Sequence, residues 1–90
     1  MNIKNYIVEL VGTYLYVLMN LYFKNAFIAG ISLASVIIIG HLLSFNGHYN
    51  PAITLSLYLN NTVSFLELLL NISLQLLAGY LAYLTYKILK

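Results

Sequence analysis

The sequence lacks most of the side chains that support enzyme chemistry. It contains no Cys, Trp, Asp or Arg, so its only acids are two Glu residues and its only fixed positive charges are four Lys residues. These absences exclude disulfides, thiolate metal sites, Asp-based catalytic triads and arginine clamps on phosphate. The net charge of +2 provides no basic patch for nucleic acid. We therefore expect no enzyme activity, no cofactor and no nucleic-acid partner.

Charge of either sign is scarce, whereas apolar residues fill the chain. Charged residues make up 7% of the 90 positions and hydrophobic residues make up 62%. An ordinary soluble domain carries about 25% charged residues, and a domain this short exposes much of its surface to water. The composition predicts an all-α, multi-pass integral membrane protein whose first partner is the lipid bilayer.

Three long apolar runs are candidates for transmembrane helices. A helix needs about 20 mostly apolar residues to cross a hydrocarbon core about 30 Å thick. The runs cover about 6–23, 26–43 and 64–86, and the last is followed by a segment that contains Lys87 and Lys90. A secretory signal peptide is the alternative for the first run, although this run is longer than the usual apolar core of about 7–15 residues. At the start of the third run, Ser64 and Glu67 are spaced as a capping box, and a transport role is the alternative for Glu67.

The segment at about 44–59 resembles neither an ordinary loop nor a full span. After a polar stretch, Asn50 is a favourable N-cap and Pro51 is favourable at the first helical position. The apolar helix that follows has about ten residues, so its length of about 15 Å is half a bilayer. The pattern predicts a re-entrant loop and half-helix that enter and leave the membrane at the same face. A helix lying flat on the membrane surface is the alternative.

Three short motifs resemble the aquaporin and glycerol-facilitator family, the major intrinsic proteins. Residues 48–54 (HYNPAIT) resemble the family's H-x-N-P-A-V-T signature, residues 8–13 (VELVGT) its A-E-F-L-G-T opening, and residues 73–79 (SLQLLAG) its A-Q-L-L-G-A run. The resemblance covers nearly all of residues 1–90 as one half-repeat, whereas the family has two inverted repeats. It implies a passive channel for water or small neutral solutes such as glycerol.

The resemblance also implies roles for residues near the pore. Asn50 would donate its amide hydrogens to the passing solute, while Pro51 and Ala52 would form a tip that stacks against a second such motif. Backbone carbonyls would supply acceptors from a pore-lining loop that consists of Asn46, Gly47, His48 and Tyr49. Ala29 and Ile53 would occupy filter positions, and the filter would lack the family's usual Arg because the chain contains none.

Further residues would support the loop and the helix packing. Glu9 would hold the re-entrant backbone from inside the bundle, and Gln75 would form a buried hydrogen bond between helices. Snorkelling to the interface is an alternative for Glu9, and a simple hydrogen bond within the loop is one for His48. His41 and His48 are too few ligands to predict a metal site. The small residues that would allow close helix packing are Gly12, Gly30, Ala34, Gly40, Ala78 and Gly79.

One half-repeat supplies only half of such a pore. Two copies inserted in opposite orientations would restore it, so we expect a homo-oligomer, specifically an antiparallel dimer. With four lysines in the chain, the positive-inside rule biases the orientation only modestly. The alternatives are a non-conducting, truncated membrane protein that associates with a full-length channel, and a degenerate remnant without transport.

Overall fold

The computed structural model describes residues 3–89, which form four α-helices and no β-strand. The helices are α1 (Ile3–Phe23), α2 (Ala26–Leu42), α3 (Pro51–Leu59) and α4 (Phe65–Leu89). The all-α class predicted from the composition is therefore confirmed for this range. Lys90, which the sequence places after the third apolar run, lies outside the described residues.

Two of the helices, α1 and α4, are long and apolar enough to cross a membrane. They extend beyond the predicted runs to Ile3 and Leu89, because lysine is a good helix former and does not end a helix. Their most apolar windows are only 17% and 28% buried, so neither is the interior helix of a globular core. Helix α2 has 17 residues and a length of about 26 Å, slightly short for a full span.

Side chains cap the starts of α2 and α4. Asn25 accepts hydrogen bonds from the backbone nitrogens of Phe27 (2.8 Å) and Ile28 (3.2 Å) at the start of α2. Ser64 and Glu67 form the predicted capping box at the start of α4, with distances of 3.1 and 3.2 Å. This box is confirmed, and it accounts for the position of Glu67 in the first turn.

Helix α1 lies between α2 and α4, and α3 packs on α4. The helices α1 and α4 run in the same direction, since Tyr6 shares a cavity with Leu70 and the ring of Tyr22 lies 5.2 Å from that of Tyr86. The two-residue turn after α1 makes α2 antiparallel to it. The chain therefore leaves α2 and enters α4 at the same end of the bundle, and α3 lies in between.

The interior of the bundle is unusually polar, and its outside is unusually apolar. The buried polar residues are Glu9, Thr13, Thr54, Asn71 and Gln75, and the buried hydrophobic ones are Tyr49, Leu68, Ala78 and Ala82. Large apolar side chains instead face outward on all four helices, for example Phe27 and Leu76 at 74% and 68% exposure. An exposed apolar surface of this extent is typical of a membrane or protein contact.

Candidate functional site

Glu9 is the centre of a buried hydrogen-bond network where the segment before α3 reaches α1. The carboxylate is 0% exposed. It accepts a hydrogen bond of 2.8 Å from the backbone N–H of His48 through Oε2, and one from the backbone N–H of Tyr49 through Oε1. Two consecutive N–H groups that converge on one anion form the concave site known as a nest. Glu9 therefore faces the protein interior, and the alternative of snorkelling to the interface is wrong.

Gln75 connects this network to α4. Its Nε2 donates to Glu9 Oε1 (3.2 Å) and to Thr54 Oγ1 (2.9 Å), and all three side chains are buried. By helical rise, Glu9 lies about 9 Å from the start of α1 and Gln75 about 15 Å from the start of α4. The network thus joins α1, α3 and α4 well inside the bundle rather than at its end.

Thr54 is a second junction of the network. Its Oγ1 accepts from Gln75 Nε2 (2.9 Å), lies 2.9 Å from His48 Nδ1 and lies 3.3 Å from the carbonyl oxygen of Asn50. His48 Nδ1 is also 3.9 Å from Glu9 Oε2. The ring of His48 is thus hydrogen-bonded to α3, and His48 also lines the groove described below, where a pore-lining role stays a prediction.

Tyr49 has a strained backbone and a buried side chain. Its φ of 63° is in the left-handed region, which costs a non-glycine residue about 1–2 kcal/mol. The ring is 5% exposed, and its hydroxyl donates to the carbonyl of Val36 in α2 (3.3 Å). The single residue Tyr49 thus connects the loop to α1 through its backbone and to α2 through its side chain.

Three glycines make room for the Tyr49 ring. A Cβ on Gly47 would lie 2.5 Å from Cζ of Tyr49, one on Gly40 would lie 2.9 Å from its hydroxyl oxygen, and one on Gly12 would overlap Cε1. At Gly12 the expectation of close helix packing is wrong, because the space above it is filled by a loop tyrosine; at Gly40 the tyrosine hydroxyl is nearest, and Val8 of α1 lies 3.8 Å from the Cβ position. A Cβ on Gly30 or Gly79 would have no neighbour within 4 Å.

An open groove of about 530 Å³ runs beside this network. It is lined by Asn5, Ile37, His41, Phe45, Asn46, Gly47, His48, Tyr49, Ile53, Leu57, Thr62 and Val63. All four predicted residues of the pore-lining loop, 46–49, are among them, as is Ile53. Ala29 is not, because it lies half-buried near the start of α2, whereas the groove is formed by the other end of that helix.

The backbone of the loop turns its N–H groups toward α1. Asn46 N donates to Oδ1 of Asn5 (2.9 Å), and the next two bonds are those from residues 48 and 49 to Glu9. No described residue donates a hydrogen bond to the carbonyls of residues 46–49. Neither Asn5 nor Thr54 was predicted to have a role. An Asn in a first helical turn has no distinguishing pattern, whereas Thr54 belongs to the motif at residues 48–54 and was not singled out within it.

Asn50 caps α3 and keeps its amide donors free. Its Oδ1 accepts from the backbone nitrogen of Ala52 (2.8 Å), and its backbone is extended, as the N-cap prediction requires. Since the oxygen is engaged, the Nδ2 hydrogens point elsewhere, and they have no partner among residues 3–89. Asn50, Pro51 and Ala52 are all exposed. In the chain they lie between Tyr49 and Ile53, which both line the groove.

The network joins the three segments that resemble the aquaporin family. Glu9 comes from the first motif, His48 and Thr54 from the second, and Gln75 from the third. Comparisons with protein-family models, curated proteins and solved structures find no match for this chain. The resemblance to aquaporins therefore stays a prediction from the three sequence motifs.

Two histidines line the groove beside the polar loop. His41 and His48 both line the groove, and the part of the chain that is described contains no group of three or more His, Cys, Asp or Glu residues that could hold an ion. In residues 46–50, the carbonyls of residues 46–49 and the amide hydrogens of Asn50 have no hydrogen-bond partner among the described residues.

Proposed function

We propose that this chain forms a passive, bidirectional channel for water or small neutral solutes such as glycerol, built from two inverted copies. The observation that carries the proposal is Asn50. Its oxygen is fixed by the cap of α3, its two amide hydrogens have no partner among residues 3–89, and the residue just before it, Tyr49, lines the groove. A fixed pair of donors beside a row of acceptors can replace the hydrogen bonds that a solute loses on leaving water.

The loop carbonyls supply the acceptors. Because the N–H groups of residues 46, 48 and 49 are held by Asn5 and Glu9, the loop backbone has a fixed orientation. The groove is also lined by apolar side chains, Ile37, Ile53 and Leu57 among them. A path with both polar groups and apolar side chains in its lining binds small neutral solutes weakly, which permits flow in both directions.

A membrane-spanning arrangement of α1, α2 and α4, with residues 44–59 as the re-entrant segment, is part of the proposal. It is supported by the start of α3, which reaches Glu9 and Gln75 about 9–15 Å from the end of the bundle. That depth is near the middle of a hydrocarbon core about 30 Å thick. Irregular backbone at such a depth is tolerated only where protein buries it or water lines it, and the groove provides the second condition.

A second, inverted copy would complete the pore. The groove is open along one side, and the tip formed by Asn50, Pro51 and Ala52 is exposed. An inverted copy would bring a second Asn50 to the same depth and close the groove. The charges permit both orientations, since one end carries Lys24 and Lys87 and the other carries Lys4 and Glu67, a difference with only a modest effect on insertion.

Osmotic shrinkage of liposomes that contain only this protein tests the channel. We expect stopped-flow light scattering to show faster water efflux than in protein-free liposomes, and Asn50→Leu to abolish the difference. Asn60→Leu is the matched control, because Asn60 is an exposed asparagine at the other end of α3. Wild-type flux equal to that of protein-free liposomes, with folded protein confirmed in the bilayer, would contradict the proposal. That result would favour a non-conducting partner of a full-length channel, or a remnant.

Labelling from one side of the membrane tests the inverted arrangement. The chain has no cysteine, so Lys24→Cys and Asn60→Cys each provide one thiol, at opposite ends of the bundle. An impermeant maleimide should label about half of each variant in sealed vesicles, because both orientations are present. Labelling of one variant and protection of the other would show a single orientation and contradict the antiparallel dimer.

A further inference from the structure

The backbone at position 49 favours glycine, yet the residue there is tyrosine. A φ of 63° is unstrained only for glycine, and a non-glycine residue keeps it only where the surroundings impose it. The two N–H bonds to Glu9 hold the backbone in place and require no side chain at this position. The ring therefore needs a separate explanation, because replacing it with hydrogen would relieve the strain.

The surroundings of the ring indicate that explanation. Gly12 comes from α1, Gly40 from α2 and Gly47 from the loop itself, and the ring fills the space at all three. The hydroxyl adds a hydrogen bond to Val36 of α2. Three separate segments thus leave out a side chain so that one aromatic ring fits between them. The ring fixes the loop relative to both α1 and α2 at the residue just before Asn50.

We propose that Tyr49 is a positioning residue, whose ring holds Asn50 and the loop carbonyls at the groove. Asn50 follows it directly, so a rotation of the loop about the α1–α2 crossing would displace the amide donors. The Glu9 bonds fix the loop on the α1 side only, whereas the ring also fixes it against α2, which contributes Ile37 and His41 to the groove wall. The width of the groove beside Asn50 then depends on the ring.

Two substitutions separate the ring from the backbone. Tyr49→Gly relieves the left-handed strain and removes the ring, whereas Tyr49→Phe keeps the ring and removes only the hydroxyl. If the backbone alone positioned the loop, Tyr49→Gly would be harmless. We expect instead that hydrogen exchange at the amides of residues 46–54 becomes about tenfold faster or more in Tyr49→Gly, with exchange in the middle of α4 unchanged, and that Tyr49→Phe stays close to wild type.

Flux through the channel provides the second readout, and this readout rests on the proposed function. We expect Tyr49→Gly to change the ratio of glycerol to water permeability in liposomes, because the groove is no longer held at one width. A purely structural role would lower both permeabilities in proportion to the folded fraction and leave their ratio unchanged.

A double substitution keeps the proposal testable if one variant folds poorly. Gly12→Ala should accelerate hydrogen exchange at the amides of residues 46–54, because its Cβ overlaps the Tyr49 ring. Gly79→Ala is the matched control, since it adds a methyl group where nothing lies within 4 Å. In the Tyr49→Gly background, Gly12→Ala should have no further effect, since the ring it displaces is gone.

The outcomes distinguish this proposal from the channel itself. The positioning role would be overturned if the amides of residues 46–54 exchanged hydrogen at the same rate in Tyr49→Gly as in wild type. It would also be overturned if Gly12→Ala changed that rate equally with and without the Tyr49 ring. Wild-type liposomes without flux would overturn the channel function, while the exchange measurements would still decide whether the ring positions the loop.

Discussion

Replacing Glu9 with glutamine should destabilise the protein far more than the same change at its only other acid, Glu67. Glu9 is fully buried and accepts from three donors, two of them backbone N–H groups of the loop. Glutamine has the same shape but only one acceptor oxygen. If that oxygen replaces Oε1, which serves Tyr49 and Gln75, the new NH₂ group faces the N–H of His48.

The magnitude follows from counting these bonds. A buried N–H without an acceptor costs about 1–3 kcal/mol, and a bond to a neutral oxygen is roughly half as strong as one to a carboxylate. The lower cost of burying a neutral amide partly offsets these losses. We expect Glu9→Gln to lower the free energy of unfolding by about 2–4 kcal/mol. Glu67→Gln keeps an oxygen for the capping box and loses only the charge near the start of α4, worth about 0.3–1 kcal/mol.

Unfolding of the two variants in detergent micelles, followed by circular dichroism, measures the difference. Hydrogen exchange in the same samples should show the largest increase at residues 46–54 for Glu9→Gln. If Glu9→Gln proved no less stable than Glu67→Gln, the carboxylate would not be the group that holds the loop, and the description of the network would be wrong.

Two further substitutions test other parts of the structure. Thr54→Val should cost about 1–3 kcal/mol of unfolding free energy because His48 Nδ1 loses its hydrogen-bond partner and Gln75 Nε2 loses one of its two acceptors. Thr54→Ser should behave like wild type in the same denaturation measurement. Ser64→Ala should lower the free energy of unfolding by about 1 kcal/mol, because the hydrogen bond to Glu67 N is lost. Amide hydrogen exchange should become faster only in the first turn of α4, and faster exchange elsewhere would contradict this prediction.

Local signals in the sequence predicted much of the fold. Asn50 followed by Pro51, and Ser64 followed three residues later by Glu67, mark helix starts through contacts between near neighbours, and both are present in the structure. The ends of the apolar runs were less informative, because a terminal lysine can belong to a helix or to the loop after it. The helix bounds therefore moved by a few residues.

Long-range contacts were not predictable in the same way. Nothing in the sequence shows that Gly12, Gly40 and Gly47 share one neighbour, since they belong to two helices and a loop and Tyr49 has no pattern of its own. A glycine in an apolar helix is ordinarily interpreted as a contact between helices, and that interpretation was wrong for Gly12. The filter position assigned to Ala29 depended on spacing along α2, and the structure brings the opposite end of that helix to the groove.

The most direct test of the channel distinguishes the role of the Asn50 amide oxygen, which caps α3, from that of its NH₂ group, which we assign to the solute. Asn50→Asp keeps an oxygen to accept from Ala52 N, so α3 remains capped, but it removes the two N–H donors that we assign to the solute. Hydrogen exchange at the amides of α3 confirms that the helix is intact in this variant. We then predict that the osmotic water permeability of liposomes with Asn50→Asp falls from the wild-type value toward that of protein-free liposomes. Permeability equal to wild type would mean that the amide donors do not line the path, and the proposed channel around Asn50 would be wrong.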